Sequence, residues 1–159
     1  MIKIDQPLLE RLLQKADNSE RKRANHNFHQ SAEDTMHRML NCMNPGTYVA
    51  PHKHQNPDKN EAFIILRGKI LIVTFTEEGK ITKHSVLEAG SPQFGAEIPP
   101  KTYHTLIPLA HGSILYEVKD GPWDIKTDKT FAPWAPKEGE EGTLEYNQSI
   151  LQQIGLKAD

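Results

Sequence analysis

The spacing of apolar positions changes period twice along the chain. At the start, Leu8, Leu9, Leu12, Leu13 and Ala16 recur three and four residues apart, which gathers them on one face of an α-helix. Glu10, Arg11 and Gln14 fall on the other side. Asp5 offers a side-chain oxygen to the first free amides, and Pro7 suits the first turn. The stretch 18–27 is polar and reads as a connection. From 28 to 119 the pattern shortens to β-type segments at 35–43, 47–54, 61–66, 69–76, 81–87, 103–109 and 113–119. Asn44-Pro45-Gly46, Arg67-Gly68 and Glu77-Glu78-Gly79-Lys80 punctuate them, and Glu97-Ile98 leads into Pro99-Pro100. Short strands at intervals of about 8–12 residues with such turns predict an all-β domain, an antiparallel sandwich or barrel.

After Asp120-Gly121-Pro122 the strand pattern stops. Phe131-Ala132-Pro133-Trp134-Ala135-Pro136 is irregular yet aromatic, which predicts an ordered strap lying on the barrel. Leu144, Ile150, Leu151 and Ile154 suit a short helix within 144–156. The organisation is therefore a helix and connector over 1–27, a barrel over 28–122, and a strap with a short helix over 123–159, all one structural domain.

Composition narrows the class. A chain of 159 residues can bury a real core, and 36% hydrophobic against 25% charged residues implies a compact one. The net charge of −2 is scattered, with Arg21-Lys22-Arg23 the longest basic run. That argues against nucleic acid or an anionic membrane as partner. A single cysteine, Cys42, excludes an intrachain disulfide and reads as a small buried hydrophobe. No apolar leader precedes Asp5, and the longest apolar run, 62–66, is too short to span a bilayer. A reducing cytoplasm is the expected location.

The chemistry gathers around His52-Lys53-His54. Two histidines two apart on a strand point to one face. Glu61 opens the next segment beside Phe63 and Ile65, and His104 enters from a later one. Neutral imidazoles with one carboxylate are a transition-metal donor set with room for substrate or water. Burial beside Phe63, Phe75 and Tyr48 is expected to raise the Glu61 pKa until a cation reverses it.

The frame around these residues carries a resemblance. Gly46-x5-His52-x-His54-x6-Glu61-x6-Gly68 resembles the first motif of the cupin superfamily, and Pro99 with His104 resembles the second. The gap between His54 and Glu61 is longer than usual, Lys101 stands where a glycine is common, and Pro108 where an asparagine is. Arg21 to Ser31, His37-Arg38, Glu117-Val118-Lys119-Asp120-Gly121-Pro122 and the strap motif are similar to the WbuC family of cupin-fold metalloproteins, over about 5–139. The resemblance implies a cupin-type double-stranded β-helix, or jelly roll, with His52, His54, Glu61 and His104 as ligands of one divalent transition metal (Fe, Mn, Ni, Co or Zn). It also implies a place among genes of lipopolysaccharide (O-antigen) assembly, and a homodimer is frequent in the superfamily.

Alternation suggests what else faces the site. Arg38 points inward as an anion clamp or outward to a surface ion pair. Tyr48 is a donor to the site or a wall of it. Glu117 orients a ligand imidazole or pairs with Lys119 in solvent. These three are the candidate catalytic residues. His26 and His29 lie too far upstream to place, His84 and His111 read as solvated, and Trp123 and Trp134 read as packing anchors. The functions that fit are a metal-dependent enzyme on a small oxygenated metabolite such as a sugar or nucleotide-sugar, isomerase/epimerase-like or dioxygenase-like, or a non-catalytic metal-assisted binding module.

Overall fold

The computed structural model describes residues 1–156, so the last three residues of the segment 123–159 lie outside it. Helix α1 spans Gln6–Asp17, capped by the Asp5 side chain, which accepts from the Leu8 amide at 3.2 Å. The strands are β1 Arg23–Asn27, β2 Met36–Met43, β3 His52–Lys53, β4 Glu61–Arg67, β5 Lys69–Phe75, β6 Ile81–Glu88, β7 Gly95–Ile98, β8 Tyr103–Pro108, β9 Ser113–Asp120 and β10 Thr130–Phe131, followed by helix α2 Thr143–Gln153.

They form two antiparallel five-stranded sheets, ordered β1-β2-β9-β4-β7 and β10-β3-β8-β5-β6. The all-β prediction holds, and the architecture is a jelly-roll sandwich. Three apolar layers hold it together. Phe63, Ile65, Ile70, Ile72, Leu106 and Leu115 fill the space between the sheets. Leu8, Leu12 and Ala16 of α1 close on Leu40, Cys42 and Ile114, the outer face of the first sheet. Ile150 and Leu151 of α2, with Ala132 of the strap, cover Leu71, Val73, Tyr103 and Ile107 on the outer face of the second. Both faces of β5 and β8 are consequently apolar. Cys42 is fully buried there, and burial pushes its thiol up to about 11.

Three segments differ from expectation. The polar stretch 18–27 contains β1, which pairs with β2 from Arg23↔Met43 to Asn27↔Met39. Its residues carry no alternating apolar signal; the backbone ladder to β2, with Ala24 packed into the cluster under α1, places it in the sheet. The segment 47–54 yields only the two-residue β3. Its earlier part is anchored by other bonds: Thr105 Oγ1 donates to the Val49 carbonyl at 2.5 Å, and Thr47 Oγ1 to that of Lys22 at 2.8 Å. The strap lies on the barrel as predicted, but it is not wholly irregular: its Thr130–Phe131 forms β10, paired with β3. Trp134 packs on Phe75 and Tyr103 at 5.1 and 5.7 Å between ring centroids, and its indole donates to the Glu77 carbonyl at 2.9 Å. Among the described residues no helix is long and apolar enough to cross a membrane.

Candidate metal centre

His52 and His104 face each other as Cα partners across β3 and β8, with ring centroids 4.5 Å apart. His54 follows directly after β3. Glu61 begins β4 in the opposite sheet, paired with Ile98 and Lys119, so the two sheets meet chemically at this point. One donor atom from each of the four residues lies within 4.8 Å of all the others, and all four are buried. The left-handed φ of +62° at Lys101 shows why a glycine is common there.

Each imidazole is oriented from behind. Nδ1 of His52 donates to the Ala50 carbonyl and Nδ1 of His104 to that of Thr102, both at 2.9 Å. Nδ1 of His54 donates to the carbonyl of Asp128 on the strap. This fixes the tautomer and turns every Nε2 toward the common centre, the arrangement in which imidazoles ligate metals. His54 Nε2 lies 3.1 Å from Glu61 Oε1, and His104 Nε2 lies 2.8 Å from Glu61 Oε2. Yet His54 Nε2, His104 Nε2 and Glu61 Oε2 have no hydrogen-bond partner of acceptable geometry. Buried polar atoms aimed at one point and left unpaired are costly, and a cation satisfies all of them. The donor set therefore fits a divalent transition metal.

Electrostatics agree with that fit. Burial, helped by the nearby Lys129 ammonium, holds His52 well below the usual histidine range, hence neutral. Burial works to raise the Glu61 carboxyl, as anticipated, but the His104 and His54 imidazoles outweigh it and the net shift is downward.

His52, Glu61 and His104 line an open cavity of about 610 Å³. Glu117 and Lys119 both face inward from β9 and line it. Glu117 is the one of the three catalytic candidates found at the site, but it does not orient an imidazole: Asn41 Nδ2 donates to its Oε2 at 2.5 Å. Burial first, and then the Glu61 charge, push the Glu117 carboxyl up to about 7.

The other two candidates lie elsewhere. Arg38 shares with Leu40 and Cys42 the face of β2 turned to α1, and its Nη2 donates to the Phe28 carbonyl at 3.4 Å. Because α1 makes that face apolar too, alternation could not tell inside from outside. Tyr48 donates to the Pro136 carbonyl at 2.6 Å and stacks edge-on to Tyr146, anchoring the strap. The irregular backbone before β3 breaks the face assignment extrapolated from His52.

Several residues at the site escaped the sequence. Asp128 takes Lys59 Nζ at 2.8 Å and Lys119 Nζ at 3.0 Å; Lys59, in the long gap between His54 and Glu61, has a side chain only 1% exposed. Asn41 alternates with Met39 and Met43, and that signal could have found it. His29 and Trp123 line the cavity; His29 stacks on His37 at 4.1 Å, and Trp123, 41% exposed, is not the packing anchor expected of it. His84 and His111 are exposed, as predicted.

The family model described as "Domain of unknown function (DUF6016)" matches residues 4–87. No curated protein matches the sequence. Among solved structures, a cupin superfamily protein from Desulfitobacterium hafniense superposes with a TM-score of 0.54 at 15% identity, over 76% of this chain and 93% of the other. L-ribose isomerase from Cellulomonas parahominis gives 0.55 at 15%, over 74% and 72%. The capsular polysaccharide assembling protein CapF from Staphylococcus aureus gives 0.54 at 21%, over 67% of this chain but only 28% of CapF. At these identities the likeness is one of fold, and the fold is that of cupins.

Proposed function

Since the chain belongs to the DUF6016 family, whose description names no activity, we propose its function from the site: a metal-dependent enzyme of isomerase or epimerase type acting on a small polyhydroxylated metabolite. The observation that carries this is the convergence of His52, His54, Glu61 and His104, with His54 Nε2, His104 Nε2 and Glu61 Oε2 unpaired, beside a cavity large enough for a sugar.

A divalent cation held there supplies Lewis acidity to a substrate carbonyl or hydroxyl oxygen. The chain's own residues do the rest. The backbone carbonyls of Ala50, Thr102 and Asp128 keep the three imidazoles in the ligating tautomer. Glu117, a buried carboxyl with a pKa of about 7, would as carboxylate take the proton from the carbon α to the substrate carbonyl and return it to the former carbonyl carbon, as the α-hydroxyl proton passes to the former carbonyl oxygen. Lys119 lies 3.9 Å from Glu61 Oε1 and keeps a positive charge over the carboxylates. The L-ribose isomerase of similar fold supports this reaction class, and the name of CapF supports a substrate from surface-polysaccharide assembly. The narrower WbuC likeness rests on the sequence motifs quoted for it.

Elemental analysis of natively expressed protein tests the metal: one equivalent of a transition metal is expected, lost in the His52→Ala/His104→Ala double variant. Stoichiometric metal in that variant would sink the ligand assignment. Loaded protein incubated in D2O with aldoses and ketoses should then move deuterium onto carbon in at least one of them. Full metal without any exchange would leave a non-catalytic sugar holder.

A further inference from the structure

Charge around the metal centre does not close once a cation is bound. The inner cavity and the wall behind it hold three carboxylates, Glu61, Glu117 and Asp128, and three ammoniums, Lys59, Lys119 and Lys129. These balance by themselves. A divalent ion on the four ligands therefore leaves two positive charges uncompensated at the cavity, and more if Glu117 is protonated.

The ammoniums differ in what they touch. Lys59 and Lys119 are both bound to Asp128. Lys129, on the strap, makes no hydrogen bond or ion pair among the described residues and lines the cavity instead. It is exposed to the open cavity, and burial of its surroundings first, then the Lys119 charge, lowers its pKa. The same field reaches His52 and Glu117. Nearer the mouth, Arg21 and Arg23 share a single carboxylate, Glu138, so that wall too carries an excess of positive charge.

An ammonium without a carboxylate partner, facing a net-positive pocket, is placed to meet an anion there. We infer that the loaded cavity takes a small ligand bearing an oxyanion, a carboxylate or a phosphate ester, with the Lys129 ammonium as its counter-charge. The inference rests on the metal site proposed above and adds the charge of the substrate to it. It also gives the strap a role at the site, since the segment that orients His54 through Asp128 is the one that presents Lys129.

Three probes of one carbon skeleton separate the sources: D-gluconate, D-glucitol 6-phosphate and neutral D-glucitol. Each is titrated calorimetrically into metal-loaded protein whose metal content is measured in the same preparation. At least one anionic probe should bind about ten-fold or more tighter than D-glucitol, and which one does so identifies the oxyanion. Lys129→Met should bring that probe to the D-glucitol level, and Lys129→Arg should keep most of the difference, with metal content unchanged in both. Equal binding of D-glucitol and both anions, no binding of either anion by fully loaded protein, or an undiminished preference in Lys129→Met overturns the inference. Substoichiometric metal in the wild type overturns the metal reading itself, and the charge argument falls with it.

Discussion

Glu117 illustrates how one side chain can be stabilising or costly depending on pH. Its folded pKa of about 7 lies above its ordinary value of 4.5 because burial and then the Glu61 charge disfavour the ionised form. A carboxyl raised in this way is tolerated below about pH 4.5, and its contribution to stability is lost as pH rises through 7. In protein stripped of metal, wild type should lose stability between pH 5 and 8, with a slope of up to about 1.4 kcal/mol per pH unit below neutrality. Glu117→Gln, isosteric and neutral, should gain on wild type over that range and match it near pH 5, read as urea midpoints. Equal midpoint differences at pH 5 and pH 8 would show that Glu117 is not held in the environment described. At this scale the ligands were legible, because His52, His54, Glu61 and His104 sit in a spaced motif. Lys59, Asp128 and Lys129 were not, since a charged loop residue reads the same whether it meets water or a partner 69 positions away.

Some turns between elements leave no room for a side chain, and others do. Gly68 joins β4 to β5 with φ +74°, and a Cβ there would lie 2.8 Å from Ser113 Cα. Gly90 has a similar φ of +82° but open space around it. Gly90→Ala should therefore cost about 1–2 kcal/mol, the left-handed penalty alone. Gly68→Ala adds the overpacking of a β9 backbone atom and should cost about 2–4 kcal/mol. Equal losses in chemical denaturation would refute the close approach. Period-two alternation revealed β2, β4, β5, β6, β8 and β9 because their apolar positions are numerous. It missed β1, whose place is set by backbone pairing to β2, and it overextended β3, where Val49 and Thr47 are tied to other segments.

Across the whole molecule, Glu138 of the strap clasps Arg21 and Arg23 from the other end of the chain at 2.6 and 2.8 Å. Burial opposes its ionisation, but the Arg21 hydrogen bond and the two guanidinium charges outweigh it, so its pKa is lowered. Asp120 is lowered as well, by hydrogen bonds from the Asn60 backbone and side chain. Stability from depressed carboxyls is present above their unfolded values, about pH 4, and is lost as pH falls through the folded ones. Acid unfolding should thus begin below about pH 4, with a shallower dependence in Glu138→Gln, followed by circular dichroism. An identical profile in that variant would mean the clasp does not hold the strap in solution. From its sequence alone this protein is determined to be a small all-β domain with one capped helix, a packed aromatic strap and a histidine-carboxylate donor set. Periodicity, capping chemistry and motif spacing are local properties, and they survive without a fold. Which face of β2 and β9 looks inward, which ammonium stays unpaired and which carbonyl orients His54 were decided by tertiary structure. With α1 covering one sheet and α2 and the strap the other, both faces of the strands are buried, and alternation loses its sign. Pairing of buried charges then depends on distances that only the closed sandwich sets.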